Sequence, residues 1–495
     1  MPKKRYIIIL LIFLVNLCHA QEKPYNVLMI LIDDLRPSLG AFGDDVAISP
    51  NIDEWAEEAT VFERAYSNQA VCVASRYNLL LGSRSTSTGL YDFGRAFREF
   101  YPDAITLPGL FKENGYYTAA IGKVFHVGHN TYNDEKSWSV PHWHDKIIEY
   151  VNPEHTTETR EEALFSNKSW AYANKLEKGS AWEKLDVEDE AYADGRVAKE
   201  AVNRLSELKD NHTPFFLAVG FARPHLPFTV PKKYWDLYEP KNLPIPSNQK
   251  NPENAPGLAV KRDGEIAQYA EIPLAKQSDP FPEELTRTLI HGYYAGVSYV
   301  DVQIGKVLKQ LKDSGLDKNT IVILWGDHGY LLGEMGMWTK HVNYEIANRI
   351  PLIISHPDLK QRRHTQELIE TVDLYPTLAE LCDIKIPQLQ QTLDGISYAD
   401  FMKGDTESVR ETVYHCFPRD GKLGRAIRNK DFRLIAWQSI DGDDQPIYEL
   451  YEYKDGLVET KNIWRIDHPE FIKLKKILDN QPKPIAMRPE SKPKN

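Results

Sequence analysis

Two acidic positions each follow a run of apolar residues. Asp33-Asp34 comes directly after Asn26–Ile32 (NVLMILI), and Asp327-His328-Gly329 comes just after residues 320–325 (TIVILW). Carboxylates brought together repel one another unless a cation joins them, and hard oxygen donors suit Ca²⁺ or Mg²⁺. Read alone, Asp33 and Asp34 would merely cap a following helix; the second acidic position argues for a metal site. Between them lies Val71-Cys72-Val73-Ala74-Ser75-Arg76, leading into the apolar stretch 77–81. That order puts Cys72 near a helix N-terminus, where amide N–H groups and the helix dipole stabilise anionic character, with Arg76 one turn on. A lone cysteine there reads equally as a buried structural residue or an ordinary thiolate nucleophile, but a thiolate has no need of three carboxylates beside it. Lys123 and His126 follow a strand-like stretch at 117–121 (YTAAI), His225 sits in Arg223-Pro224-His225-Leu226-Pro227, and Lys340 lies downstream of Asp327. Singly, each is a surface lysine or a satisfied core histidine; jointly, they supply cations for an anionic group and imidazoles for proton transfer.

These groups need a frame. The runs at 26–32, 215–220, 320–325 and 351–355 are continuous apolar stretches, as in strands buried on both faces of a parallel sheet. Helical patterns separate them: Val297, Val300, Ile304, Val307 and Leu311 recur at spacings of three and four, and Gly315 supplies a stop. Alternating strands and helices predict a doubly wound α/β domain, which presents ligand residues at the carboxyl ends of its strands. After about residue 400 the texture changes. Residues 432–437 and 447–453 read as two strands across the turn Asp441-Gly442-Asp443-Asp444, within a small α+β domain over 401–480. The Lys- and Pro-rich residues 481–495 read as an extended tail, and the polar region 129–210 as an insertion near the site.

Residues 1–20 read as an export signal: Lys3, Lys4 and Arg5, then an apolar core, then Cys18-His19-Ala20 before Gln21. Asn16-Leu17 lacks the small residues that precede a lipidated cysteine, so cleavage and a periplasmic or secreted destination are favoured over a lipid anchor. No other stretch is long and apolar enough to span a bilayer, so no stable membrane insertion is expected. The chain has 60 Lys and Arg against 71 Asp and Glu, a net charge of −11; three of the basic residues and none of the acidic ones lie in the signal, leaving −14 without it. That balance argues against nucleic acid as a partner. Cys382 and Cys416 remain beside Cys72 after cleavage, free to pair or to stay reduced.

The ordered set Asp33-Asp34, Cys72-Val73-Ala74-Ser75-Arg76, Gly122-Lys123-Val124-Phe125-His126, Arg223-Pro224-His225, Asp327-His328-Gly329 and Lys340 resembles the type I, formylglycine-dependent sulfatases. Leu90-Tyr91-Asp92-Phe93 and Phe111-Lys112-Glu113-Asn114-Gly115-Tyr116 place it nearest the iduronate-2-sulfatase-like branch, and the likeness extends to Glu449-Leu450-Tyr451. The resemblance implies an alkaline-phosphatase/sulfatase-like fold: a large mixed, mostly parallel sheet flanked by helices over 21–400, with a smaller C-terminal α+β domain containing an antiparallel sheet. It implies that Cys72 is oxidised to formylglycine (3-oxoalanine) by a maturation enzyme, and that Asp33, Asp34, Asp327, His328 and the modified Cys72 hold one Ca²⁺. Arg76 would brace the aldehyde, and Lys123 and Lys340 would grip sulfate. The hydrate, activated with Asp327, would attack sulfur while His225, helped by Lys340, protonates the departing sugar oxygen. His126 would then deprotonate the second hydroxyl, expelling sulfate and restoring the aldehyde.

Two departures narrow what carries over. Ala74 stands where many members have Pro, which suits maturation enzymes of the anaerobic kind and leaves the route open. Gly89 stands where the iduronate enzymes place an Arg that recognises a uronate carboxylate. The expected activity is therefore desulfation of sulfated polysaccharide-derived oligosaccharides, algal polymers such as ulvan or carrageenan favoured over glycosaminoglycans. The alternatives are a phosphodiesterase or phosphonate monoester hydrolase of the same superfamily, and a non-catalytic Ca²⁺-dependent binder of sulfated glycans with Cys72 unmodified.

Overall fold

The structure is a computed structural model describing residues 24–261, 264–273, 280–359, 363–454 and 456–491; the signal at 1–20 lies outside them. The strands up to residue 370 are β1 (Asn26–Ile32), β2 (Thr60–Tyr66), β3 (Tyr117–Gly122), β4 (Trp182–Glu183), β5 (Phe215–Phe221), β6 (Phe228–Thr229), β7 (Thr320–Gly326), β8 (Arg349–Ser355) and β9 (Arg363–Glu370). Seven of them form one sheet in the order β3-β5-β1-β7-β8-β2-β9, and β4 pairs with β6. Only β8 runs against its neighbours β7 and β2; the remaining pairings in this sheet are parallel. The apolar run of β8 resembles that of the parallel strands because its middle five residues are buried. Burial on both faces, rather than strand direction, sets that composition.

β1 shows why the sheet needs helices on both sides. Leu28, Ile30 and Ile32 belong to one core and Val27, Met29 and Leu31 to the other, the period-two alternation of a strand. The first core is closed by helices Glu283–Asp313 and Ala193–Leu208, the second by helices Cys72–Leu81, Leu107–Glu113 and Leu374–Leu381. The stripe Val297, Val300, Ile304, Val307 and Leu311 is buried, and Gly315 takes the left-handed conformation after the helix. The region 129–210 is only partly an insertion: it closes with the 16-residue sheet-flanking helix Ala193–Leu208, which buries Val197, Ala198, Ala201 and Leu205. Charged residues on the outer face of that helix obscured its stripe.

The C-terminal sheet has four antiparallel strands in sequence order, not two: β10 (Val413–Arg419), β11 (Lys422–Arg428), β12 (Phe432–Ser439) and β13 (Ile447–Glu452). Helix Pro469–Asp479 covers one face through Phe471, Leu474 and Leu478. On the other face Ala426, Ile435, Trp437 and Tyr451 pack against Leu331, Met335, Met337 and Tyr344. The small sheet thus backs the loop that carries Lys340. Cys382 and Cys416 are buried and unpaired. The tail runs extended along 86–94, where the amides of Ile485, Arg488 and Ser491 donate to the carbonyls of Thr86, Gly89 and Gly94.

Candidate active site

Register brings the acids together. Ile32 lies opposite both Phe221 and Gly326, so Asp33 and Asp327 leave the sheet side by side. The ladder continues one residue further, Asp33 N–H donating to the Phe221 carbonyl and Asp327 N–H to that of Ile32. β3 ends level with β5, Gly122 opposite Gly220, which delivers Lys123 to the same edge. Gly122 has φ +73°, and a Cβ there would lie 2.1 Å from the Gly220 carbonyl oxygen, so only glycine lets the chain turn toward the site. Asp34 is left-handed (φ 59°), which a short polar side chain tolerates. Cys72 opens helix Cys72–Leu81, following β2.

Donor atoms of Asp33, Asp34, Cys72 and His328, all buried, lie within 4.8 Å of one another. His328 Nδ1 is 3.1 Å from the Gly329 carbonyl, which can only accept; Nδ1 therefore carries the proton, and Nε2, 3.3 Å from Cys72 Sγ, presents its lone pair. Asp33 Oδ1 is buried without a hydrogen-bond partner, an arrangement that calls for a cation. Two carboxylates and an imidazole, gathered beside Cys72 Sγ, form a donor set that fits a divalent ion. Asp327 adjoins them, 3.7 Å from His328 Nε2. Its Oδ1 accepts from the amides of Asp34 (3.0 Å) and His328 (2.9 Å), and its Oδ2 from Arg76 Nε (3.1 Å).

The basic residues interleave with these acids. Arg76, fully buried, reaches Asp327 Oδ2 at 3.1 Å and Asp33 Oδ1 at 3.5 Å, and donates to the carbonyls of Lys123 and Val124. Lys123 Nζ pairs with Asp33. Lys340 Nζ bridges Asp34 Oδ1 (2.8 Å) and Glu265 Oε2 (2.9 Å). Asp34, His225 and Glu265 also cluster closely, and the Lys340 ammonium bridges Asp34 and Glu265 within that cluster. Burial works to raise the Asp33 pKa, and Lys123, His225 and Arg76 outweigh it and hold the carboxyl well below its ordinary value. Burial, with the Asp33 charge beside it, pushes the Cys72 thiol well up. A thiolate nucleophile is disfavoured there.

Hydrogen bonds set the histidine tautomers. Thr131 Oγ1 donates to the Gly128 carbonyl, so toward His126 Nδ1, at 2.8 Å, it can only accept. His126 therefore carries its proton on Nδ1 and keeps a lone pair on Nε2, and burial reinforced by Lys123 lowers its pKa well below the usual imidazole value. His225 lies between two cis prolyl bonds, Arg223–Pro224 and Leu226–Pro227. Its Nδ1 donates to the Leu226 carbonyl, and its Nε2 faces Glu265 Oε1 at 3.1 Å. Sequence reasoning missed Glu265 entirely, since no motif surrounds it. It also missed Glu161, whose carboxyl is buried beside Arg160 (2.6 Å) and is pushed up to about 7 by burial and by the charge of Glu265. Thr159 and Glu162 form a capping box that marks a helix start at Arg160, without indicating what that helix faces.

Comparison with known proteins agrees with this arrangement. The Sulfatase family model matches residues 25–384, and the model for the C-terminal part of N-sulphoglucosamine sulphohydrolase matches 333–485. The chain is 35% identical to human iduronate 2-sulfatase over 485 residues, covering 85% of this chain and 86% of that protein. It is 29% identical to an ulvan-active sulfatase of Formosa agariphila over 437 residues, covering 84% and 74%. Its fold superposes on the phosphonate monoester hydrolase of Silicibacter pomeroyi with a TM-score of 0.70 at 20% identity, covering 92% and 94% of the two chains. That last likeness defines the fold class, which serves more than one ester chemistry. The chain belongs to the sulfatase family and is a sulfuric ester hydrolase.

Proposed function

We propose that this is an exported carbohydrate sulfatase whose nucleophile is a formylglycine made from Cys72 by a maturation enzyme, with one Ca²⁺ held by Asp33, Asp34, Asp327, His328 and residue 72. The observation that carries the reading is the placement of Cys72 Sγ at a helix start, 3.3 Å from His328 Nε2 and within one cluster of buried carboxylates. When bound, the cation would draw charge from a sulfate oxygen and make the hydroxyl at residue 72 more nucleophilic. Lys123 and Lys340 would neutralise the remaining sulfate oxygens, a stabilisation on the order of several kcal/mol in a water-excluded site. His225, as an imidazolium whose Nδ1 proton is held by the Leu226 carbonyl and whose Nε2 proton faces Glu265, would give the Nε2 proton to the departing sugar oxygen, and His126 Nε2 would accept one from the hydroxyl at residue 72. Arg76 orients residue 72 through Asp327 and Asp33.

Sulfated polysaccharide-derived oligosaccharides are the proposed substrates, algal polymers such as ulvan favoured over glycosaminoglycans. The relative that acts on ulvan supports this, as does Gly89. Its φ is +77°, and a Cβ there would sit 2.5 Å from the Ala486 carbonyl oxygen. The docked tail occupies the space that a carboxylate-reading side chain at 89 would need. Screening sulfate release from defined sulfated oligosaccharides against hydrolysis of a phosphonate ester tests the reading. Sulfate release should dominate; phosphonate cleavage without it would sink the proposal. Export predicts a mature N-terminus at Gln21, which N-terminal sequencing of the exported protein checks.

A further inference from the structure

Glu265 is the acid of the site that no sulfate chemistry requires. It enters from the short helical turn Glu265–Gln268, with its side chain 17% exposed, and holds at once the two groups on the leaving-group side: His225 Nε2 at 3.1 Å and Lys340 Nζ at 2.9 Å. His225 Nδ1 is committed to the Leu226 carbonyl, so Nε2 is the ring atom left to face an ester oxygen. An ester oxygen that receives its proton from Nε2 must come within hydrogen-bond reach of that atom, and hence close to the Glu265 carboxylate. The substituent on the neighbouring sugar carbon, which lies beside the ester oxygen, then meets Glu265. A free hydroxyl there donates to the carboxylate; a second sulfate meets its charge, which also acts on the buried Glu161 carboxyl.

Resting on the sulfatase reading, we propose that Glu265 determines specificity: it accepts a hydrogen bond from a free hydroxyl adjacent to the sulfate ester and rejects substrates sulfated at that adjacent position. A hydroxyl that donates to a charged carboxylate makes one of the stronger hydrogen bonds, and a substrate lacking it forfeits that bond in the transition state. A vicinal sulfate adds like-charge repulsion in a site of low dielectric.

The test uses methyl iduronoside 2-sulfate, methyl rhamnoside 3-sulfate and methyl galactoside 4-sulfate, each beside its vicinal deoxy analogue and its vicinal disulfate. Sulfate release is followed with the full chain. For whichever sugar is cleaved, the wild type should lose about 10–100-fold in kcat/KM on the deoxy analogue, and at least as much on the disulfate. Glu265→Gln keeps an acceptor oxygen and loses the charge, so it should raise the disulfate-to-monosulfate ratio of kcat/KM by about tenfold or more. Glu265→Ala should erase the preference for hydroxyl over deoxy. If both variants lower kcat/KM on all three analogues by one common factor, Glu265 only props Lys340 and His225, and the proposal falls while the sulfatase reading stands. Sulfate release from none of the sugars by the wild type would overturn both.

Discussion

Two parallel strands of the same sheet end in acidic pairs, and the pairs have opposite fates. β1 runs into Asp33-Asp34, and β9 ends at Glu370, with Asp373 one turn on. All four carboxylates are buried. Around Glu370 every oxygen is engaged: Arg84 donates to both, Arg410 and the Tyr414 amide to Oε1, and Asn68 to Oε2. Asp373 takes Arg410 and the Ile396 amide on Oδ1 and the Glu370 amide on Oδ2. At the end of β1 two lysines and Arg76 interleave with the acids, yet Asp33 Oδ1 has no hydrogen bond. Position at a strand end does not distinguish a structural acid from a ligand; what distinguishes them is whether the chain itself saturates the carboxylate.

The largest effect expected from breaking this contrast is on catalysis. Asp33→Asn should lower kcat/KM about 10³-fold or more and abolish the rise in melting temperature that added Ca²⁺ is expected to give the wild type. Glu370→Gln should retain both the wild-type kcat and that Ca²⁺ response. Stability should respond in the reverse order. Glu370→Ala removes the carboxylate partner of Arg84 and one of the two that hold Arg410, leaving Asp373 as the other, and should cost about 3–5 kcal/mol in chemical denaturation.

A pH series sharpens the same comparison. Burial raises the Glu370 pKa, but Arg84 and Arg410 outweigh it and hold the folded value below the ordinary one. Its contribution is therefore present above the unfolded value and lost as the pH falls toward the folded one. Asp373 has the opposite sign: burial, against Arg410 and with the Glu370 charge, pushes it up to about 6. Its contribution is full below the unfolded value and fades as the pH rises through about 6. Melting temperatures of wild type and Glu370→Gln should converge as the pH falls below about 4. Equal acid loss in both would refute Glu370 as the paired group. The smallest effect lies at the docked tail. Gly89→Ala forces a left-handed side chain against the Ala486 carbonyl and should cost about 1–3 kcal/mol, read as a lowered melting temperature.

The legible parts of the sequence were those in which one physical signal dominates. β1, β5 and β7 show as unbroken apolar runs because both their faces are buried, and their shared ends locate Asp33, His225 and Asp327. Cys72 and Arg76 stood out by their order with those acids. β10 and β11 did not, since Arg419, Lys422, Arg425 and Arg428 interrupt any alternation, and two of these contacts only make sense in three dimensions: Arg428 pairs with Glu345, and Arg419 donates to the Leu258 and His341 carbonyls. Glu265 was invisible for the same reason, because its partners His225 and Lys340 lie 40 and 75 residues away. The direction of β8 could not be read either, since composition reports burial and not polarity of the strand.

The central claim is that Cys72 is the precursor of the nucleophile. Mass spectrometry of the tryptic peptide spanning residues 65–76, taken from enzyme that releases sulfate, tests it most directly. The account predicts a peptide lighter by the exchange of the thiol for an aldehyde, with the converted fraction tracking specific activity across preparations. An intact thiol throughout fully active enzyme would contradict it.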